Sequence, residues 1–205
     1  MSDLGIVLIG AGGHAKSCID AIESQGLFRI FGLVGFAEQV GDTVLGYEVI
    51  GTERDLPQIR KNCKNAFVAV GQIKSPTTRI DLHNILLDWK FNLPVIQAPS
   101  AYVSKHSRIG SGTLVMAQAA VMPGVNIGTN CIINSKSLIE HDAQIGKHSH
   151  ISTGAVINGN ARIGEGSFVG SGAVVMQGVE IGNNCVIGMG AVVRRQVPDL
   201  ETVIK

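Results

Sequence analysis

The chain has 205 residues, a formal net charge of +1 and 26 glycines, and only 4% of its residues are aromatic. A net charge this small gives no basic surface for a nucleic acid, so we expect no nucleic-acid partner. No stretch reaches about 18 uninterrupted apolar residues, which argues against a membrane-spanning helix. The start of the chain lacks the basic segment of a signal peptide, so we expect a cytoplasmic protein of one large or two modest domains.

The first hundred residues alternate between strand and helix patterns. Strands are predicted at residues 5–9, 29–34, 66–70 and 93–96. Helices are predicted from the first glycine loop to about Gln25, over a short segment opened by Thr52, and at 76–90. The last helix should place apolar side chains on or near one face, namely Ile80, Leu82, Ile85, Leu86 and Trp89. This alternation indicates a small parallel α/β domain.

The loop after the first strand reads Gly10-x-Gly12-x-x-Ala15, which matches the dinucleotide-binding fingerprint in its Gly/Ala form. Its glycines allow close backbone approach, and the helix N-terminus favours an anionic phosphate or carboxylate. NAD is disfavoured because the second strand ends in Val34-Gly35-Phe36 rather than an acid, and because about 100 residues are short for a full dinucleotide fold. A mononucleotide or another anion is favoured, with a purely structural turn as the alternative.

From Val103 to Val193 every sixth residue is Ile or Val, without one miss. A small residue lies four places after each of the first fifteen of these positions. A strict period of six is neither helical nor simply strand-like, and it indicates a repeat architecture. We interpret it as a parallel β-helix of about five coils, each with three sides and 18 residues. Cys131 and Cys185 fall at small inward positions, where we expect inert, core-filling thiols.

Residues 139–151 concentrate three of the six histidines: His141, His148 and His150. His141 should project from the coil, where an imidazole can act as a general base near neutral pH. Glu140 and Asp142 flank it, and a carboxylate on the second ring nitrogen would fix the tautomer. No cysteine lies alongside at ligand spacing, so we predict no metal site. The alternative is that these are ordinary surface histidines.

The histidine segment and the glycine loop together resemble one family. The residues that carry the resemblance are Ile133-Asn134-Ser135, Ile139-Glu140-His141-Asp142, Ile145-Gly146 and His150-Ile151, with the Gly-x-Gly-Gly-His loop near the start. They are similar to the NeuD/PglD-type bacterial sugar acetyltransferases, which are left-handed β-helix, hexapeptide-repeat acyltransferases. The resemblance spans nearly the whole chain. It implies an α/β + β fold, with a Rossmann-like domain over 1–99 and a left-handed β-helix over 100–205.

The same resemblance implies a function. Family members transfer an acetyl group from acetyl-CoA to a sugar, often the 4-amino group of a UDP-linked amino sugar, for surface polysaccharide or glycan synthesis. They are homotrimers with sites between adjacent β-helices. O-acetylation of sialic-acid-type sugars and a non-catalytic trimeric scaffold are the alternatives that the sequence leaves open.

Site residues follow from the resemblance position by position. His141 is expected to be the catalytic base, with Asp142 as the carboxylate that raises its basicity. His150 is expected to contact acetyl-CoA, as are backbone groups near Ser171 and Met189. The expected substrate-binding positions are Gly12, Gly13, His14 and Gly71, with Asn134 as a weaker candidate for the sugar.

Two features depart from the family pattern. Some members carry an aspartate pair that touches the nucleotide where this chain has Gly35-Phe36, so the sequence does not identify the base. The family also usually continues with a Gly-x-Pro-Ala tail that covers CoA, whereas this sequence reads Val203-Ile204-Lys205 at its end.

Overall fold

The computed structural model describes residues 4–204. Residues 1–3 and 205 lie outside the described residues, and with them the N-terminal segment behind the cytoplasmic expectation. Within residues 4–204, no helix is long and apolar enough to cross a membrane.

The N-terminal region is a five-stranded sheet with helices packed against it. Its strands are β1 (Gly5–Ile9), β2 (Arg29–Val34), β3 (Thr43–Val44), β4 (Tyr47–Gly51) and β5 (Asn65–Val68). Its helices are α1 (Gly13–Gln25), α2 (Leu56–Asn62) and α3 (Thr77–Asp88), with 3₁₀ turns at Ala37–Gln39 and Glu53–Asp55. The strand order is β3-β4-β2-β1-β5, parallel except for the β3–β4 pair. The parallel α/β prediction is confirmed.

The β3–β4 hairpin was not predicted from the sequence. Its turn is Leu45-Gly46, and both residues have positive φ, at 49° and 86°. Two consecutive positive φ angles are the geometry of the tight hairpin turn that matches strand twist. The flanking strands are too short and too mixed in polarity to show a clear period of two.

The predicted apolar face of α3 is partly wrong. Leu82 and Leu86 are buried as expected, but Trp89 is exposed. Arg79 and His83 are buried on the same helix. The physical reason is that α3 packs against the C-terminal region as well as the sheet, and this second contact is polar.

The C-terminal region is a left-handed parallel β-helix, as the resemblance implied. Its strands are two residues long and stack in parallel with the strand one coil further along the chain. From residue 103 to residue 193, the second residue of each strand is the Ile or Val of the repeat, and these side chains form one continuous core with the small residues, including the buried Cys131 and Cys185. Three residues after each repeat aliphatic over 109–187 the backbone is left-handed, at Gly or residues such as Asn130 and Asp142. These positions turn the corners of the coil.

Three flat faces result. We name one by the α/β region that docks on it and the other two by the polarity of their outward side chains. The docked face comprises β6 (Ile96–Gln97), β9 (Leu114–Val115), β12 (Ile132–Ile133), β15 (His150–Ile151), β18 (Phe168–Val169), β21 (Val186–Ile187) and β23 (Thr202–Val203). The apolar face comprises β7 (Tyr102–Val103), β10 (Ala120–Val121), β13 (Leu138–Ile139), β16 (Val156–Ile157), β19 (Val174–Val175) and β22 (Val192–Val193). The polar face comprises β8 (Arg108–Ile109), β11 (Asn126–Ile127), β14 (Gln144–Ile145), β17 (Arg162–Ile163) and β20 (Glu180–Ile181).

The α/β region packs on the earlier coils of the docked face. Outward Leu114 and Ile132 share a core with α1 residues such as Ile19 and Ile22. The strand predicted at 93–96 is found at Ile96–Gln97, and it pairs with β9 of the coil rather than with the α/β sheet. The chain therefore enters the β-helix before residue 100, through a strand shared with the docked face.

Candidate active site

A cavity of about 290 Å³ opens at the glycine loop between β1 and α1. Gly12, Gly13, His14 and Gly71 all line it, so four of the five predicted substrate positions lie together. A Cβ at Gly71 would lie 3.6 Å from His14, which shows how closely the two loops approach. The N-terminus of α1 begins at Gly13, and its free N–H groups favour an anion in this cavity.

His14 is one of the residues that line the cavity. Its Nε2 atom is buried without a hydrogen-bond partner among residues 4–204. Burial, and secondarily the positive charge of Arg79, lower the pKa of His14 to about 4. The side chain is therefore neutral at physiological pH.

The predicted dyad lies elsewhere, at the corner between the apolar and polar faces. His141 Nδ1 and Asp142 Oδ2 are 2.9 Å apart, and both side chains are well exposed, at 57% and 66%. With Nδ1–H donating to the carboxylate, Nε2 carries the free lone pair that a general base requires. Asp142 supplies this bond, whereas Glu140 makes none to the imidazole.

Two glycines make room for the dyad. Gly159 occupies the position of His141 one coil later, and a Cβ there would lie 2.6 Å from Nε2. Gly124 occupies the position of Asp142 one coil earlier, and a Cβ there would collide with the carboxylate. The ring of His141 therefore lies over the backbone of Gly159, and the carboxylate of Asp142 lies over the backbone of Gly124.

His150 projects from the docked face into the seam with the α/β region, and only 7% of it is exposed. Its Nδ1 donates to the carbonyl of Gln72 at 2.8 Å, and its Nε2 lies 3.3 Å from Asn134 Nδ2. Asn134 Oδ1 accepts from the Ser135 N–H, so its amide nitrogen must face the imidazole. Both ring nitrogens are thus used within the chain, which requires a neutral imidazole. Burial is the main reason that the pKa of His150 falls to about 4.

Asn134, Ser171 and Met189 lie at the corner between the docked and apolar faces. The Ser171 hydroxyl lies 2.9 Å from that of Ser152, and Met189 is 81% exposed. This corner connects to the cavity through His150 and Gln72. It is separated from His141 and Asp142 by the whole width of the apolar face, so one chain does not bring the predicted base and the predicted acetyl-CoA contacts together.

Two further observations concern a second groove and metal binding. A groove of about 890 Å³ follows the polar face, but none of the predicted site residues lines it. Among residues 4–204, no group of three or more His, Cys, Asp or Glu side chains is arranged to hold a metal ion.

Sequence reasoning missed the residues that join the two regions. Arg79 reaches from α3 to the coil, where its guanidinium donates to the backbone and side-chain oxygens of Asn130 at 2.6 and 3.0 Å. Gln72 donates to the Gly166 carbonyl. The partners in these contacts are 51 and 94 residues apart in the chain, so no local sequence pattern predicts them.

Two family profiles match the chain. Residues 5–83 match the PglD N-terminal domain, and residues 106–141 and 160–195 match the bacterial transferase hexapeptide of six repeats. A search of curated protein sequences finds no match.

Solved structures match over nearly the full length. A histidine-to-asparagine mutant of perosamine N-acetyltransferase from Caulobacter crescentus, in complex with CoA and GDP-perosamine, is 34% identical with a TM-score of 0.93, covering 98% of this chain and 93% of that one. The acetyltransferase domain of PglB from Neisseria gonorrhoeae, in complex with acetyl coenzyme A, is 32% identical with a TM-score of 0.91, covering 100% and 97%. WeeI from Acinetobacter baumannii is 25% identical with a TM-score of 0.87, covering 98% and 96%. The chain therefore belongs to the NeuD/PglD-type sugar acetyltransferases of the left-handed β-helix, hexapeptide-repeat family.

Proposed function

We propose that this protein transfers an acetyl group from acetyl-CoA to the 4-amino group of a nucleotide-linked amino sugar, in surface polysaccharide or glycan synthesis. The observation that carries the proposal is the match over 98% of the chain to a perosamine N-acetyltransferase bound to CoA and GDP-perosamine. The exposed His141–Asp142 pair supplies the base that such a transfer needs.

The proposed mechanism is direct transfer. The neutral sugar amine attacks the thioester carbonyl, forming the C–N bond, while His141 Nε2 takes the amine proton. Asp142 holds the ring in the required tautomer and stabilises the imidazolium that forms. A backbone N–H stabilises the oxyanion. As the C–S bond breaks, the imidazolium returns its proton to the departing sulfur, which leaves CoA thiol and an amide.

The remaining site residues take binding roles in this proposal. The cavity lined by Gly12, Gly13, His14 and Gly71 receives the nucleotide portion, with its phosphates near the N-terminus of α1. Ser171 and Met189 contact acetyl-CoA along their corner. His150 is the third proposed contact to acetyl-CoA, and it lies against Asn134, which is a candidate contact to the sugar.

We further propose that the protein works as a homotrimer. The outward residues of the apolar face are apolar in every coil: Tyr102, Ala120, Leu138, Val156, Val174 and Val192. The polar face instead presents Arg, Asn, Gln and Glu, and the earlier coils of the docked face are already covered. A second copy on the apolar face would bring its own dyad corner towards the acetyl-CoA corner of the first. This supports a site completed between two chains.

The cytoplasm is the proposed location, because acetyl-CoA and nucleotide-linked sugars are supplied there.

The test is release of CoA thiol from acetyl-CoA with UDP-, dTDP- and GDP-linked 4-amino sugars and with free sialic acid. Release with a nucleotide-linked amino sugar is expected, and it should be lost in His141→Ala. Release with free sialic acid alone would instead favour O-acetylation, since a carboxylate can also dock at the N-terminus of α1. No release, together with no thermal protection by acetyl-CoA, would overturn the proposal in favour of a scaffold.

A further inference from the structure

The outer rim of the glycine-loop cavity carries three side chains without a role so far. Phe36, Gln39 and Glu53 all line the cavity, together with Gly35. Phe36 is 72% exposed, an unusual position for an aromatic ring.

Gln39 is held in one orientation. Its Oε1 accepts a hydrogen bond from the Phe36 N–H at 3.0 Å. A Cβ at Gly35 would lie 2.8 Å from that oxygen, so the missing side chain at position 35 is what lets Gln39 fold back. Because the amide oxygen of Gln39 already accepts this hydrogen bond, its amide nitrogen is the group that can bind a ligand. That nitrogen is a hydrogen-bond donor.

Glu53 provides the complementary group. Its neighbour Asp55 is committed to the N–H and the hydroxyl of Thr52, at 2.8 and 3.0 Å. The backbone carbonyl of Glu53 accepts from the Leu56 N–H, but its side chain makes no hydrogen bond or ion pair with any residue of the described chain, 4–204. Its carboxylate is therefore an unused acceptor at the same rim as the donor of Gln39.

We infer that this rim selects guanine, so that the acceptor of the proposed reaction is a GDP-linked amino sugar. The Watson–Crick edge of guanine presents the acceptor O6 beside the donors N1–H and N2–H₂, which suits one amide donor beside one carboxylate. Uracil and thymine present an acceptor on each side of a single N–H, which would face the carboxylate of Glu53 with an oxygen. Phe36 supplies a ring on which a base can stack. The inference rests on the proposed function, because it assumes that the cavity takes the nucleotide.

Calorimetric binding of GDP, UDP and dTDP to the full chain tests the inference without any acetyl transfer. A carboxylate that accepts two hydrogen bonds from one base typically discriminates by about tenfold or more, so GDP should bind at least about tenfold more tightly than UDP or dTDP. Equal binding of GDP and UDP, or tighter binding of UDP, would overturn the assignment.

Three variants separate the roles. Glu53→Gln should weaken GDP about tenfold while changing UDP by less than about twofold, since only guanine uses two donors there. Phe36→Ala should weaken all three nucleotides by similar factors, because stacking does not depend on the base. Glu38→Gln removes an acid of the 3₁₀ turn that contains Gln39. Glu38 does not line the cavity, so the binding of all three nucleotides should be unchanged. Loss of GDP preference in Glu38→Gln but not in Glu53→Gln would contradict the inference.

Failure of the inference and failure of the proposed function give different results. If UDP binds best and CoA thiol is released with a UDP-linked amino sugar, only the guanine assignment fails. If no nucleotide binds while thiol is released with free sialic acid, the nucleotide acceptor itself is wrong, and the guanine assignment falls with it.

Discussion

At the residue scale, the proposed chemistry depends on one solvent-exposed imidazole. His141 is oriented by a single hydrogen bond to Asp142, and the left-handed backbone at Asp142, with φ of 61°, is the ordinary corner geometry of the coil. Asp is among the residues that accept this conformation most readily. The dyad therefore needs no strained backbone, because the corner turns both side chains outward.

Removing the base should reduce turnover strongly. His141→Ala is expected to lower kcat by about 10²–10⁴-fold, the usual contribution of a general base. His106→Ala is the matched control, because His106 is an exposed histidine in the same corner two coils earlier, and it should leave kcat unchanged. A loss of less than about threefold in His141→Ala, measured by initial rates of thiol release, would remove His141 from the mechanism.

The glycine beside the imidazole should matter almost as much. Gly159→Ala places a Cβ where the ring of His141 now lies, and a displacement of about 1 Å can cost about 10²-fold in rate, so we expect kcat to fall at least about tenfold. Gly159 has no positive φ, so alanine is acceptable to its backbone.

Gln177→Ala is the control for this variant, since Gln177 occupies the same corner position one coil later. Unchanged kcat in Gly159→Ala, with unchanged thermal stability, would show that the ring has no fixed position.

How far the sequence predicts these residues depends on the separation of their partners. His141 and Asp142 are adjacent in sequence, so their pairing was visible as a motif. His150 projects from the coil as expected, but the carbonyl it binds is 78 residues away, at Gln72. Its use as an acetyl-CoA contact stays a prediction. The hydrogen bond between Phe36 and Gln39 joins residues three positions apart, so a local turn could have been predicted there. The proposed role of Gln39 in binding a base could not, because it depends on the cavity formed with Glu53.

At the element scale, the coil was predictable from a period of six, but its three faces were not. That period identifies the inward residues, which all three faces share. The outward residue before each aliphatic repeats with a period of 18, and at that period the apolar, polar and docked faces become distinct. The amino-acid sequence therefore does encode the apolar face, in every eighteenth residue rather than in every sixth.

The docked face joins two regions through polar contacts that depend on pH. Arg79 is 2% exposed and has no carboxylate partner among residues 4–204. Burial lowers the pKa of Arg79 to about 10, which still leaves it charged at neutral pH. His14 and His150 lie near this charge and are both neutral.

Acid should therefore destabilise the fold. Because the pKa of His150 is about 4 in the folded chain and about 6.5 when unfolded, the unfolded chain binds more protons between these values. This stabilisation is fully present above about pH 6.5 and is lost as the pH falls towards 4. By pH 5 the loss amounts to about 2 kcal/mol of unfolding free energy.

Urea unfolding at pH 7.5 and pH 5 measures this loss. His150→Gln should show a smaller decrease between the two pH values than the wild type, whereas His106→Gln should show the same decrease as the wild type. An equal decrease in all three proteins would mean that His150 is not the group that binds the proton.

At the scale of the whole molecule, the proposed mechanism requires more than one copy of the chain. The predicted base and the predicted acetyl-CoA corner flank the apolar face, and no contact within residues 4–204 joins them. The resemblance supplied the trimer as an expectation, and the apolar face now gives it a physical reason, since uncovered apolar surface favours association.

A charge on this face should break the assembly. Val174→Glu places a carboxylate at the centre of the apolar face, where burial without a partner costs several kcal/mol. Light scattering should give three times the chain mass of 21.6 kDa for the wild type and one chain mass for Val174→Glu, which should also lose activity. Gln144→Glu, on the polar face, should remain assembled and active. A wild-type monomer with full activity would refute the shared site.

The chemical structure of the product tests the proposed acetyl transfer most directly. A GDP-linked 4-amino sugar should be incubated with acetyl-CoA and the protein, with His141→Asn alongside, and the product characterised by mass spectrometry and NMR. We expect one added acetyl group on the 4-amino nitrogen, as an amide stable to hydroxylamine, and almost none with His141→Asn. An acetyl ester on a sugar hydroxyl, or equal product from the His141→Asn protein, would contradict it.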